Sequence, residues 1–115
     1  MTSREAIAAA LVAAGVNGTP TKTGPIVAGD GWPVWRATRW ANTVPDGVRL
    51  GSWFVFVALP NAGLDATTVE ADPLVETIGA ALIAAGLEIE VVEPYQWPVE
   101  AGQAAVPLLR YSVND

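Results

Sequence analysis

Cysteine and histidine are both absent from the 115 residues. Without cysteine there is no disulfide and no thiolate nucleophile, and the redox compartment leaves no mark on the chain. Without histidine the commonest general base and the commonest metal ligand are missing together. Basic residues are scarce: six Lys and Arg stand against twelve Asp and Glu, for a net charge of −6, and Lys22 is the single lysine. Cations spread from Arg4 to Arg110 do not form the clustered patch that grips a phosphate backbone, so nucleic-acid binding is not expected. Long apolar runs are lacking too. Residues 6–14, behind Arg4 and Glu5, are too short to span a bilayer and end at a helix-stop glycine, which fits a structural helix better than a targeting segment.

What the chain does have is apolar. Hydrophobic residues make up 51% and charged residues only 16%, with five tryptophans. In a chain long enough for one domain and one real core, that excess implies surface buried against other subunits. Tryptophan concentrates in cores and interface hot spots, which points the same way.

One phrase occurs twice. Leu11-Val12-Ala13-Ala14-Gly15-Val16 returns as Leu82-Ile83-Ala84-Ala85-Gly86-Leu87, and each copy reads as the end of an amphipathic helix. Glycine supplies the left-handed exit, and the apolar residue after it folds back on the leucine five positions earlier, as in a Schellman ending. The flanking residues do not match, so this is shared punctuation and not an internal repeat. Thr2 with Glu5 makes a capping box for the first helix, whose apolar face is Ile7, Ala10, Leu11 and Ala14. Asp72-Pro73 starts the second, with Leu74, Ile78, Ala81, Leu82 and Ala85 as the buried stripe.

Residues 16–31 are rich in Gly, Pro and Thr and read as a loop, with Pro25-Ile26-Val27 as one short edge strand. Residues 34–43 and 48–59 are the strongest strands, joined by Val44-Pro45-Asp46-Gly47, a type I turn signal. Gly51 marks a bulge in the second arm. The run from Trp53 to Leu59 is apolar on both faces, which predicts a central strand with helices over one face and a neighbouring subunit over the other. Ile89 and Val91, with Val92, form a strand whose Glu88 and Glu90 face water. Residues 94–102 read as a loop, and Leu109, Tyr111 and Val113 alternate with Arg110 and Ser112 in a last strand. The expected class is α+β: one mainly antiparallel sheet with a long hairpin and two helices packed on one face, in the order α-(β)-β-β-α-β-β.

Chemical motifs are few. Glu88, Glu90 and Glu93 could hold a hard cation, but no Asp-rich loop or glycine turn accompanies them, and alternating Glu is the pattern of a solvated strand face. Serines and threonines have no histidine to activate them, and neither a Gly-x-Ser-x-Gly elbow nor a Ser-x-x-Lys motif is present. Lys22 sits in a polar stretch with no sign of burial, unlike a catalytic amine. The glycines form neither a P-loop nor a dinucleotide fingerprint. No enzyme activity, cofactor or metal is expected, and a carboxylate-only hydrolase is the remaining enzymatic alternative.

The segment best suited to making contacts is Trp32-Pro33-Val34-Trp35-Arg36-Ala37-Thr38-Arg39-Trp40, because Arg and Trp are interface hot-spot residues. By period two, Trp35, Ala37 and Arg39 share one face and Val34, Arg36, Thr38 and Trp40 the other. The competing reading packs the indoles under the helices and pairs the arginines with acids. Tyr95, Gln96 and Trp97 form a second candidate surface. Single-stranded nucleic acid could stack on such rings, but the acidic balance opposes it.

Taken together, the layout resembles the tail terminator proteins of long-tailed bacteriophages. The residues that carry the resemblance are Trp32-Pro33-Val34-Trp35, the apolar return from Ser52 to Pro60, Glu93-Pro94-Tyr95-Gln96-Trp97 and Val106-Pro107-Leu108-Leu109-Arg110-Tyr111-Ser112-Val113. The family is marked by layout and size, not by a specific motif. The resemblance implies a structural virion protein at the tail–head junction, assembled in the host cytoplasm: a homo-oligomeric ring, typically a hexamer, on the head-proximal end of the tail tube. Such a ring ends polymerisation of the tube protein and meets the head-completion or connector proteins. DNA would pass through its pore without specific binding, and no membrane is involved. Subunit or partner contacts would then fall on Trp32, Trp35, Arg36, Arg39 and Trp40, on Asp46 and Arg49 at the hairpin tip, and on Tyr95, Gln96 and Trp97. Another neck component and a monomeric ligand- or peptide-binding module are the alternatives.

Overall fold

The computed structural model describes residues 3–24, 26–41, 48–58, 72–97 and 106–115, with backbone alone for residues 39–41, 48–50, 97, 106 and 107. In chain order the elements are α1 (Ser3–Ala13), β1 (Asn17–Gly18), β2 (Asp30–Ala41), β3 (Val48–Ala58), α2 (Asp72–Ala84), β4 (Glu88–Trp97) and β5 (Val106–Asn114). The five strands form one sheet in the order β1-β2-β3-β5-β4. All neighbours are antiparallel except β1 and β2, and both helices pack on the same face. The α+β class expected from the sequence is the class observed.

Both helices end as their repeated phrase predicts. Gly15 and Gly86 take φ of +86° and +91°. Val16 N–H donates to the Leu11 carbonyl at 2.9 Å, and Leu87 N–H to the Leu82 carbonyl at 3.2 Å. Gly15 and Gly86 donate to the carbonyls of Val12 and Ile83 at 3.0 Å, completing two Schellman motifs. Leu11, Val16, Leu82 and Leu87 are all buried, so each ending also turns the chain back into the core. The second helix starts at Asp72, as read. Ala85, assigned above to its buried stripe, is exposed because it lies beyond the last helical residue, in the turn. Thr2, of the capping box, lies outside the described residues.

The core fills the space between the helices and one sheet face. Ile7, Leu11, Ile78 and Leu82 meet Val55, Val57, Leu109, Tyr111 and Val113, all fully or nearly fully buried. Each such aliphatic side chain contributes about 1.5–3 kcal/mol by leaving water. Tyr111 carries a polar atom through this layer, donating its hydroxyl to the Val75 carbonyl of α2 at 2.9 Å. Desolvation by burial pushes its phenol above the ordinary value of 10.0.

Four local expectations are corrected. The short first strand is Asn17–Gly18, paired with Asp30 and Gly31 of β2, and neither Ile26 nor Val27 lies in a strand. Two residues become a strand there because the Schellman exit delivers them beside β2, not because of their own propensity. Gly51 is not a bulge. It pairs regularly with Thr38, and its missing side chain admits the Asp115 carboxylate, which accepts from Gly51 N–H at 2.6 Å. A Cβ at position 51 would lie 2.7 Å from Asp115 Oδ2. The register shifts fall instead at Arg36, between Trp35 and Ala37, and at Glu90, between Ile89 and Val91. Finally, residues 94–97 are not a loop: β4 continues through them, pairing Pro94 with Leu109 and Trp97 with Val106.

The two bulges change which side chains face where. Past Arg36 the alternation inverts, so Trp35 and Thr38 share a face and Trp35 Nε1 donates to Thr38 Oγ1 at 2.9 Å. Past Glu90 the same inversion turns Val91 outward, 45% exposed, and brings Val92 to the core in its place.

Two outcomes test this account. Gly86→Ala leaves the packing untouched, since nothing lies within 4 Å of the added carbon. It should still destabilise by about 1 kcal/mol through the left-handed backbone, read as a lower urea midpoint with an unchanged slope. Tyr111→Phe should also cost about 1 kcal/mol for the lost hydrogen bond. Because the folded state holds the phenol neutral while the unfolded chain ionises near the ordinary value, that residue's stabilisation is complete below about pH 10 and falls away above it. The melting temperature of the parent should therefore drop more steeply than that of the variant as pH is raised past 10.

Candidate functional site

The sheet face opposite the helices carries most of the candidate residues. No helix among the described residues lies on it. Its floor is Trp32, Phe56, Ala58 and Leu108, all buried, with Ile26, Val34, Phe54 and Tyr95 packed around them. Phe56 is the hub: the Trp32 ring stacks on it at 5.8 Å, and the rings of Tyr95 and Phe54 tilt against it at 5.3 and 6.1 Å. Such pairs add about 0.5–1.5 kcal/mol each beyond their area. Phe56 is 4% exposed within a single chain. A neighbouring subunit is therefore not needed to cover this part of the central strand, contrary to expectation.

Two arginines close the face. The Arg110 guanidinium lies 4.8 Å from the Phe54 ring centre and 4.6 Å from that of Tyr95, and Arg36 lies 5.3 Å from Phe54 on its other flank. Each has an acid. Arg110 Nε donates to Glu93 at 3.1 Å, with a second, shorter contact from Nη2 to the same oxygen. Arg36 reaches Glu90 at 3.3 Å. This second pair crosses the sheet from β2 to β4, over β3 and β5. It can do so because both partners are bulge residues, freed from regular pairing and projecting over the same face. Asn114 Nδ2 donates to the other Glu90 oxygen at 3.1 Å, and Ser52 Oγ donates to Asn114 at 2.7 Å. Glu90 and Glu93 are thus arginine partners, not members of an empty cation site. Among the described residues no group of three acids, Cys or His could hold a metal.

The positions of the candidate contact residues can now be given. Trp32 is 2% exposed and belongs to the core of this chain, so it is not available as a contact. Trp35 is 56% exposed at the outer side of β2. Arg36 and Tyr95 form part of the arginine–aromatic cover, and Gln96 is exposed on β4. Arg39, Trp40 and Arg49 lie on the hairpin, with Trp40 opposite Arg49, and Trp97 ends β4. Asp46 lies outside the described residues. The competing reading is half right: Arg36 does pair with an acid, but Trp32 packs on the face away from the helices.

Sequence reasoning missed two features. Lys22, read as exposed, has 18% of its side chain accessible and pairs with Asp30 at 3.2 Å, tying the segment after β1 to the start of β2. With Arg4, Thr21, Ile26, Trp32 and Val34 it lines a cleft of about 390 Å³. No short motif signals that pairing, since its partner is supplied by the fold. The second feature is the exposure of Val12 and Ile83, 59% and 61%, on the outer sides of the helices. Each directly follows the buried leucine of the repeated phrase, so this signal was present in the sequence.

Comparison with protein families, with characterised proteins and with solved structures finds no match to this chain.

The arginine lid makes a stability prediction. Arg110→Lys keeps the charge but loses the planar fork that serves Glu93 and both rings at once. It should lower stability by about 1 kcal/mol in urea unfolding. Arg36→Lys, at a more exposed site, should cost less than half of that.

Proposed function

We propose that this chain is a structural subunit of a homo-oligomeric ring in the neck of a long-tailed bacteriophage, acting as the tail terminator. The observation that carries the reading is the exposed apolar surface of a small, charge-poor subunit. Val12 and Ile83 project from the two helices among exposed alanines, and Trp35 and Val91 stand at the two sides of the sheet. Exposed large apolar side chains on a small domain are surface that a partner can cover. A closed heterologous ring buries a different patch on each side of every subunit, which accounts for several separate exposed patches better than a two-fold dimer does.

In that role the ring sits on the head-proximal end of the tail tube, stops addition of tube protein and meets the head-completion proteins. The chemistry needed is shape and surface. The net charge of −6 per subunit, repeated around a pore, would repel DNA and ease its passage.

A second reading rests on the cleft between α1, the 21–26 segment and β2, where Arg4 and Lys22 border Trp32. A cleft bordered by Arg4 and by the Lys22–Asp30 pair could take a small anionic ligand, and the protein would then be a monomeric binding module. Light scattering and native mass spectrometry separate the two. The ring reading expects a discrete multiple of the 12.0 kDa subunit, six being the family's usual number, and binding to one end of tail tubes in electron micrographs. A strict monomer that ignores tube ends, with tryptophan fluorescence that responds to a ligand and not to protein concentration, would replace it with the binding module.

A further inference from the structure

Asp115 directly follows β5, and its carboxylate joins parts of the chain that are far apart in sequence. Its N–H donates to the Gly51 carbonyl at 2.9 Å, extending the β3–β5 pairing one residue past Ser52 and Asn114. The return bond, from Gly51 N–H, goes to the Asp115 side chain, with Oδ1 at 2.6 Å. The other oxygen, Oδ2, accepts from Ser3 Oγ in the first turn of α1 at 2.5 Å. It also accepts from Trp53 Nε1 on β3 at 3.4 Å. A carboxylate with these donors is a charge-assisted joint between helix and sheet.

The surroundings show what that joint holds. The Arg4 guanidinium, next to Ser3, lies 5.0 Å from the centre of the Trp53 ring and donates to the Pro20 carbonyl at 3.4 Å. Trp53 is therefore bonded to Asp115 at its indole nitrogen and covered by Arg4 on its face. Arg4 is also a wall of the cleft that it shares with Lys22, Ile26 and Trp32. The first turn of α1 has little burial of its own: Ser3 and Arg4 are half-buried, Glu5 is exposed, and full burial starts at Ile7. Gly51 makes room for the joint, since a Cβ there would lie 2.7 Å from Asp115 Oδ2 and 2.9 Å from Trp53 Nε1. A glycine inside a strand is otherwise unfavourable.

We propose that Asp115 is a latch, whose carboxylate holds the first turn of α1 on the sheet and Arg4 at the mouth of the cleft. When it is closed, the Trp53 indole and the Arg4 head are fixed together and the cleft keeps its Arg4 wall. When it opens, residues 3–6 leave the sheet while Ile7 and Leu11 keep the rest of the helix in the core. The latch is made within one chain, so it does not depend on assembly into a ring.

Trypsin cleavage of the full chain after Arg4, followed by mass spectrometry, reads the open state, because slow proteolysis tracks the population of locally opened chain. Cleavage after Arg36 in β2 and Arg110 in β5 reads unfolding of the sheet in the same sample. In the parent, cleavage after Arg4 should be the fastest of the three and nearly independent of urea below the unfolding transition, because a local opening exposes little surface. Cleavage at the two strand sites should rise steeply over the same range. Asp115→Ala should speed cleavage after Arg4 by about fivefold or more, with the weak urea dependence kept. Ser3→Ala, which removes one donor outside the core, should give a smaller rise. Gly51→Ala should act like Asp115→Ala, since its added carbon displaces the carboxylate, and should add nothing further in an Asp115→Ala background. The latch is overturned by an unchanged rate after Arg4 in Asp115→Ala and Ser3→Ala. A urea dependence after Arg4 as steep as that at Arg36 and Arg110 also sinks it, since the turn would then open only with the whole fold. Full additivity of Gly51→Ala with Asp115→Ala does the same. Should circular dichroism show Asp115→Ala unfolded, Ser3→Ala decides by the same rate and urea criteria.

Discussion

Everything in this chain answers to one constraint: β3 is apolar on both faces and sits third of five strands, so both faces of the sheet must be kept from water. A 115-residue chain with two helices among its described residues places both on the same face. There the solution is ordinary, with Ile7, Leu11, Ile78 and Leu82 over Val55 and Val57 and Tyr111 bonded to α2 across the layer. The opposite face is closed by other means. Aromatic rings stack and tilt against Phe56, and guanidinium groups lie over Phe54 and Tyr95. An arginine suits this place because its flat, weakly hydrated head covers a ring while its rim still meets a carboxylate and water.

The bulges take part in that arrangement. In an unbroken β2, Arg36 would occupy a regular pairing position and the strand would keep its alternation to the end. The extra residue frees Arg36 to lean over Phe54, and the extra residue in β4 frees Glu90 to meet it. A pair formed across three strand spacings needs both ends released from the ladder. Its net contribution to stability is small, as expected for a half-exposed ion pair, but it fixes the placement of two long side chains over a face on which no described helix lies. The Asn114–Ser52 bridge continues the same polar line back to the central strand.

The parts legible in the sequence were those decided locally. The helix endings were, because a positive φ demands glycine and the following apolar residue must fold back. The hairpin and the alternation of Leu109, Tyr111 and Val113 were, because apolar periodicity records burial directly. What escaped was decided by distant partners. Neither bulge carries a glycine or other local mark, and the Arg36–Glu90 pair that joins them forms only once the sheet is assembled. The period-two assignment therefore placed Trp35 and Thr38 on different faces and Val91 in the core. Lys22 looked solvent-exposed because Asp30 becomes its neighbour only when Asn17 and Gly18 pair with β2. Tyr95 and Gln96 looked like loop because a proline precedes them, yet Pro94 is tolerated on a strand that has no described partner on its outer side. Among the candidate contacts, Trp32 misled for a related reason: composition says that indoles bury surface, but only the packing says against what.

An unpaired strand is a hazard as well as an opportunity, and the two outer strands here are treated alike. Each has a proline, a bulge and charges of a single sign beyond the paired Asp30. A bare ladder edge would accept any extended segment, including another copy in any register, and head-to-tail addition of that kind grows without end. Breaking the ladder removes that unspecific attraction. For a protein whose proposed role is to stop a polymer, edges of this kind withhold a template for open growth.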